Sequence, residues 1–154
     1  MKTLIIYSTS YGYTSEVVAR MARQLPEVTA INIVEDKNID LDAYDQVILG
    51  GSIYVGRVHK DLATFIKNNQ EKLLNKPLKL FLCCAFEAKF QEDLALNFSP
   101  ELLAHAQKVE NFGGRITMDK LSFGHKIMAK MVAKTPEGKQ PVNAYPERVE
   151  AFLA

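Results

Sequence analysis

The residues best suited to chemistry come early: Ser8-Thr9-Ser10-Tyr11-Gly12-Tyr13-Thr14 gathers four hydroxyl side chains (Ser8, Thr9, Ser10, Thr14) around one glycine. A segment of helical spacing follows at once. Backbone N–H groups at a helix N-terminus point toward an anion, the helix dipole favours its charge, and hydroxyls add hydrogen bonds. The loop contains no lysine or arginine, which favours a phosphate monoester held by neutral donors over a triphosphate. Neither Gly-x-x-x-x-Gly-Lys-Ser/Thr nor Gly-x-Gly-x-x-Gly occurs. The plainer alternative is a polar turn in which Thr14 or Ser15 caps the helix.

A second unusual stretch is Gly50-Gly51-Ser52-Ile53-Tyr54-Val55-Gly56-Arg57-Val58-His59. Paired glycines permit close backbone approach to a flat ligand, and the nearby Tyr54 ring can stack on one. His59 either donates to a bound molecule or caps the next helix, and Arg57 either meets an acidic substrate or faces solvent. The chain has no Ser/His/Asp triad pattern, metal-ligand spacing or paired carboxylates. No residue is therefore assigned as acid, base, nucleophile or metal ligand.

The elements that must position these loops alternate in period. Short apolar runs at Thr3–Tyr7, Thr29–Val34, Gln46–Gly50, Leu78–Ala85 and Lys108–Thr117 predict five strands, the last interrupted by Gly113-Gly114. Helical spacing predicts Ser15–Leu25, stopped by Pro26, and Lys60–Leu74, with Leu62, Phe65, Ile66 and Leu73 inward. One helical turn is placed after Asp40. Ser99-Pro100 reads as an N-cap with proline in the first turn, and Pro146–Leu153 as a closing helix. Phe90–Asn111 otherwise reads as loop plus that one helix. The alternation implies right-handed crossovers and a parallel sheet with helices on both faces. Ligands of such sheets bind beyond the strands' carboxyl ends, where the unusual loops fall.

At 154 residues, 47% hydrophobic and 24% charged, the chain has the size and make-up of one globular domain spanning 1–154. A net charge of +1 supplies no overall field to recruit nucleic acid. The adjacent Cys83 and Cys84 lie in a strand, where neighbours point to opposite faces, so a disulfide between them is geometrically poor. Two reduced thiols, no signal peptide pattern and no apolar run near ~18 residues predict a soluble cytoplasmic protein.

Thr9-Ser10-Tyr11-Gly12-Tyr13-Thr14 resembles the FMN phosphate loop of flavodoxins, Ser/Thr-x-Thr-Gly-x-Thr. It is closer to the Ser-x-x-Gly-x-Thr form of a subgroup that includes the flavodoxin-like protoporphyrinogen oxidases. The stretch from Gly50 to His59 is similar to that subgroup's Gly-x-Ser-Ile-x-x-Gly-x-x-His. The resemblance implies a flavodoxin-like three-layer sandwich with FMN as cofactor. It implies phosphate contacts from the hydroxyls of Thr9, Ser10 and Thr14 and the backbone of Gly12 and Tyr13, with Tyr11 where threonine is usual. It implies ring contacts from Ser52, Ile53 and Tyr54 and the backbone through Val55 to Gly56. A third loop, at Ala85 and Phe86, stands where flavodoxins touch the flavin again; Phe86 and Phe90 are ring neighbours or ordinary core. The function implied is an FMN-dependent oxidoreductase of the protoporphyrinogen/quinone type. The alternative is a flavodoxin carrying electrons to a protein redox partner.

Electron-carrying flavodoxins are typically strongly acidic, and this chain is not. Arg115–Lys139 instead holds six basic residues and two acidic ones. Within it Leu121–Lys134 reads as an amphipathic helix with Lys126, Lys130 and Lys134 at i, i+4 spacing. That side is either solvated or a surface for an anionic membrane or acidic partner. A phosphorylatable receiver would need an acidic pair after the first strand and an aspartate ending the third; Ser8-Thr9 and Gly50-Gly51 stand there.

Overall fold

In the computed structural model, residues 1–9, 12–114 and 143–154 are described. Five parallel strands form one sheet: β1 (Lys2–Ser8), β2 (Glu27–Asn32), β3 (Gln46–Ser52), β4 (Leu78–Cys83) and β5 (Lys108–Asn111), in the order β2-β1-β3-β4-β5. The helices are α1 (Tyr13–Ala22), α2 (Lys60–Leu74), α3 (Phe90–Asn97), α4 (Pro100–His105) and α5 (Val149–Leu153). The expected parallel sheet with helices on both faces is present.

Strand alternation builds two cores at once. Leu4, Ile6, Val47, Leu49, Leu80 and Leu82 face Leu62, Ile66 and Leu73 of α2, Leu94 of α3 and Leu102 of α4. Ile5, Ile48, Phe81 and Cys83 face Val17, Val18 and Met21 of α1, Val149 and Phe152 of α5, and Phe112. Each such side chain, once fully buried, contributes about 1.5–3 kcal/mol. Phe81, Phe112 and Phe152 meet with ring centroids 5.3–6.3 Å apart, an edge-on and tilted cluster that closes the second core.

Most predicted elements stand within a residue or two, and the departures have local causes. Helix α1 ends at Ala22 because its last turns tighten: Gln24 N–H bonds Met21 O (3.0 Å) and Leu25 N–H bonds Ala22 O (3.4 Å), just before Pro26 disfavours a helical predecessor. Strand β2 lies two residues earlier than its apolar residues indicated. Pairing with β1 aligns Lys2 with Glu27 and Tyr7 with Asn32, and Asn32 O then accepts from Glu35 and Asp36 to turn the chain. Ser99 caps α4, accepting from Leu102 N–H at 3.2 Å, as the Ser-Pro pair predicted. Helix α3, read as loop, was missed because its inward face carries the buried Asp93 beside Leu94, which breaks the apolar stripe.

Strand β1 lies between β2, reached through α1 on one face, and β3, whose onward connection through α2 runs over the other. This reversal leaves a crevice beyond the carboxyl ends of β1 and β3. Past β5 the chain is tied to its own C-terminal part: Gly113 pairs with Ala144, Gly114 N–H bonds Asn143 O, and Tyr145 N–H bonds Phe112 O. The predicted fifth strand ends early, at Asn111, where Gly113 at φ +72° turns the chain; its part beyond Gly114 and the predicted helix Leu121–Lys134 lie outside the described residues.

Candidate functional site

Parallel pairing brings the predicted loops to one end of the sheet. Ser8 of β1 pairs with Gly51 of β3, and Ser52 of β3 with Cys83 of β4. Ser52 Oγ reaches Ser8 O at 3.5 Å, and Ile53 N–H bonds Cys83 O at 3.2 Å. The loops after β1, β3 and β4 are therefore neighbours.

In the first loop Gly12 takes φ +100°, which turns the chain into α1, and as the N-cap residue it brings no side chain to the helix end. Backbone amides at a helix N-terminus suit an anion. Thr9 is nearly buried and its hydroxyl accepts from Gly12 N–H at 3.3 Å, so one amide expected to face an anion has an internal acceptor here. The hydroxyls of Ser8 and Thr14 are buried; Ser8 Oγ has no hydrogen-bond partner among the described residues, and Thr14 Oγ1 has only the Cys83 thiol in reach. Thr14 Oγ1 lies beside the Cys83 thiol, which burial pushes up to about 12 and the hydroxyl pulls slightly back. Leaving a buried hydroxyl unpaired costs about 1–3 kcal/mol. Ser8 therefore stands as a donor in want of an acceptor, and Thr14 as one with no oxygen acceptor among the described residues. Tyr13 turns away: its hydroxyl donates to Phe112 O at 2.7 Å and braces α1 against the end of β5. Ser10 and Tyr11 lie outside the described residues.

The second loop folds back as a tight turn. Tyr54 N–H bonds Arg57 O (2.9 Å) and Arg57 N–H bonds Tyr54 O (3.1 Å), with Val55 at φ +49° and Gly56 at φ +79° between them. Ile53 packs half-buried against the α2 side of the core, while Val55 is 54% exposed at the tip. His59 is resolved as a cap: its Nδ1 accepts from Asp61 N–H at 3.0 Å and opens α2. Arg57 is exposed and donates to Leu96 O at 3.0 Å. Gly50 and Gly51 serve internal packing, since a Cβ on either would collide with Phe81 or with the Ser8 hydroxyl. The close approach these glycines allow is that of β4 and β1.

The third loop is held from below by groups the sequence reading did not single out. Cys84 N–H and Gly113 N–H both donate to Asn111 Oδ1, at 3.0 and 2.9 Å. The Cys84 thiol donates toward Phe86 O and Asp93 Oδ2, each at 3.1 Å. Burial, reinforced by the neighbouring Asp93 carboxyl, pushes this thiol up to about 12, so it stays protonated. Burial likewise raises the Asp93 carboxyl above its usual range, the thiol bond acting against the shift. Cys83 faces the opposite core, and neither cysteine is in a disulfide. Phe90 packs against the α2 side of the core, whereas Phe86, half-buried, belongs to neither core cluster. Ala85 sits against Gly114. Glu87 is anchored by Arg148, with Nη1 2.9 Å from Oε1; that guanidinium holds the carboxyl below its ordinary range.

A parallel doubly wound sheet in 2-1-3-4-5 order, with a helix N-terminus at its switch point, defines an α/β protein of the class whose ligands bind at that point. A family model described as flavodoxin domain matches residues 4–143, and the chain belongs to that family. It is 32% identical over 81 residues, 50% of its length, to the protoporphyrinogen IX dehydrogenase [quinone] of Escherichia coli K12, 45% of which is covered. The protein of the same description from Leishmania major is 24% identical over 149 residues, 90% of this chain and 64% of its own. The chain thus spans about half to two thirds of these relatives. A flavoprotein from Lactobacillus acidophilus, solved in complex with FMN, shares the fold with TM-score 0.54 at 14% identity, over 71% of this chain and 92% of that one. No helix among the described residues is long and apolar enough to cross a membrane.

Proposed function

We propose that this chain binds FMN and acts as an FMN-dependent oxidoreductase of the protoporphyrinogen/quinone type. The observation that supports the cofactor is the pair of buried hydroxyls without an oxygen acceptor among the described residues, Ser8 and Thr14, at the glycine-turned N-terminus of α1. A phosphate there would accept from the Thr14 hydroxyl and from the first-turn amides, with Thr9 and Ser10 adding hydroxyls; neutral donors suffice because the helix end already favours negative charge. Ser52 to Gly56 would form one wall for the ring and Ala85 with Phe86 the other. Bound FMN supplies the redox chemistry. The chain's own residues supply orientation and exclude water.

The substrate class is supported by the two related dehydrogenases and by the near-neutral charge, which suits a small-molecule partner better than docking on a basic reductase. The two free thiols are in keeping with a reducing, cytoplasmic setting. Basic side chains of Leu121–Lys134 would supply a peripheral contact with an anionic membrane, where quinones reside. The reading is tested by the absorbance spectrum of the purified chain, then by anaerobic titration with protoporphyrinogen and with menaquinone. A flavin spectrum bleached by the first and restored by the second supports it. A flavin indifferent to both leaves an electron carrier for a protein partner, and no flavin after reconstitution with FMN removes the cofactor assignment.

A further inference from the structure

The turn Tyr54–Arg57 carries a conformational conflict. Two successive positive φ values, at Val55 and Gly56, are those of a type I′ turn, which favours Asn-Gly and resists a β-branched residue in first place. Val55 is the one non-glycine residue with positive φ among those described. Two backbone bonds close the turn, and both primed turns that suit such a two-residue hairpin put Val55 at positive φ, so its backbone strain has to be offset. Contacts from outside the turn can hold this strained shape in place.

Asn97, the last residue of α3, meets the turn from both sides. Its Nδ2 donates to Gly56 O at 2.9 Å and its Oδ1 accepts from Val58 N–H at 2.9 Å. The same Nδ2 donates to Asp93 O at 2.7 Å, which fixes the amide's own orientation. Rotating the amide by half a turn would set oxygen against two carbonyls and nitrogen against an N–H, losing all three bonds. Arg57 adds a bond to Leu96 O, one residue earlier. We propose that Asn97 is a positioning residue that holds the Val55–Gly56 turn in shape before any cofactor arrives. The ring-side wall is then preorganised by α3, and ring binding need not supply the ordering. The ligand in this inference rests on the FMN reading; the geometry of the turn does not.

The phosphate and ring ends of the site can be separated by ligand. On the full apo chain, flavin fluorescence quenching gives Kd for FMN and for riboflavin, and inorganic phosphate is measured by competition against FMN. Asn97→Ala should weaken FMN and riboflavin by the same factor, about tenfold, and leave phosphate unchanged. Adding Val55→Gly should recover most of that loss, because glycine accepts positive φ without help. If the alanine variant does not fold, Asn97→Asp keeps the acceptor for Val58 N–H, loses both donated bonds, and should weaken both flavins equally. Wild-type riboflavin affinity in these variants, equal weakening of phosphate, or no recovery by Val55→Gly overturns the role. If the wild-type chain binds neither flavin, the FMN reading is what has failed. Trypsin then reads the turn without ligand. Cleavage after Arg57 should be faster in Asn97→Ala than in wild type, and an unchanged rate overturns the inference.

Discussion

The loop after β1 and the turn after β3 lie side by side but are built by opposite means. From Ser8 to Thr14 the polar groups, the positive φ at Gly12 and the start of α1 all fall within one short run of sequence. The Thr9–Gly12 bond spans three residues. The turn from Tyr54 to Arg57 is shaped by Leu96 and Asn97, 39 to 41 residues further on. The first region carries its hydroxyls and its turn within its own residues, and distant parts only brace it, as Phe112 O does Tyr13. The second needs a helix that the sequence does not announce. Local chemistry can therefore be legible where local conformation is not.

Breaking the first region should have the largest effect. The double substitution Ser10→Ala, Thr14→Ala removes two hydroxyl donors to a charged group, each worth about 1.5–3 kcal/mol, and should weaken FMN about 100-fold or more while sparing riboflavin. Equal loss of both flavins would show that the loop does not read the phosphate.

A second break falls between the regions, at the Cys84–Asp93 pair. Cys84→Ala leaves a buried carboxyl without its thiol donor and should cost about 1–3 kcal/mol in urea unfolding. The pH dependence follows from Asp93. Its folded carboxyl is held above the ordinary aspartate value by burial, with Glu92 also raising it and the Cys84 thiol and Lys89 opposing. An acid whose folded pKa is raised adds stability that is complete below the unfolded value and is lost as pH rises through the folded one. Stability should therefore fall as pH climbs from the usual aspartate range through that raised value. Asp93→Asn, uncharged and of like shape, should flatten this slope, and an unchanged slope would place the titration elsewhere.

The smallest effect sharpens the contrast. Val55→Gly in the wild-type background relieves a left-handed β-branched residue at a cost in unfolded-chain entropy, so a net gain of about 1 kcal/mol or less is expected in thermal unfolding. A loss would mean that Val55 is not strained as its φ of 49° indicates.

The layer order, the strands and the three loops were largely present in the sequence, because a parallel strand covered on both faces must be apolar throughout and a helix in such a fold must show one apolar side. That is why Lys60–Leu74 was placed without error and why the hydroxyl loop stood out. His59 illustrates the boundary. Its two roles were both open in sequence, and only the Asp61 amide at 3.0 Å makes it a cap. Gly50 and Gly51 illustrate it again, since the neighbours that fill their Cβ space come from β1 and β4. Helix α3 went unread because Asp93 occupies its inward face, and with it went Asn97, the Cys84 thiol bond and the hold on the ring-side turn. The sequence by itself determined periodicity, hydroxyl clustering and glycine placement, all properties of residues close along the chain. Tertiary structure decided which polar groups meet across 30 or more residues, because a hydrogen bond depends on distances of about 3 Å that pattern alone does not specify.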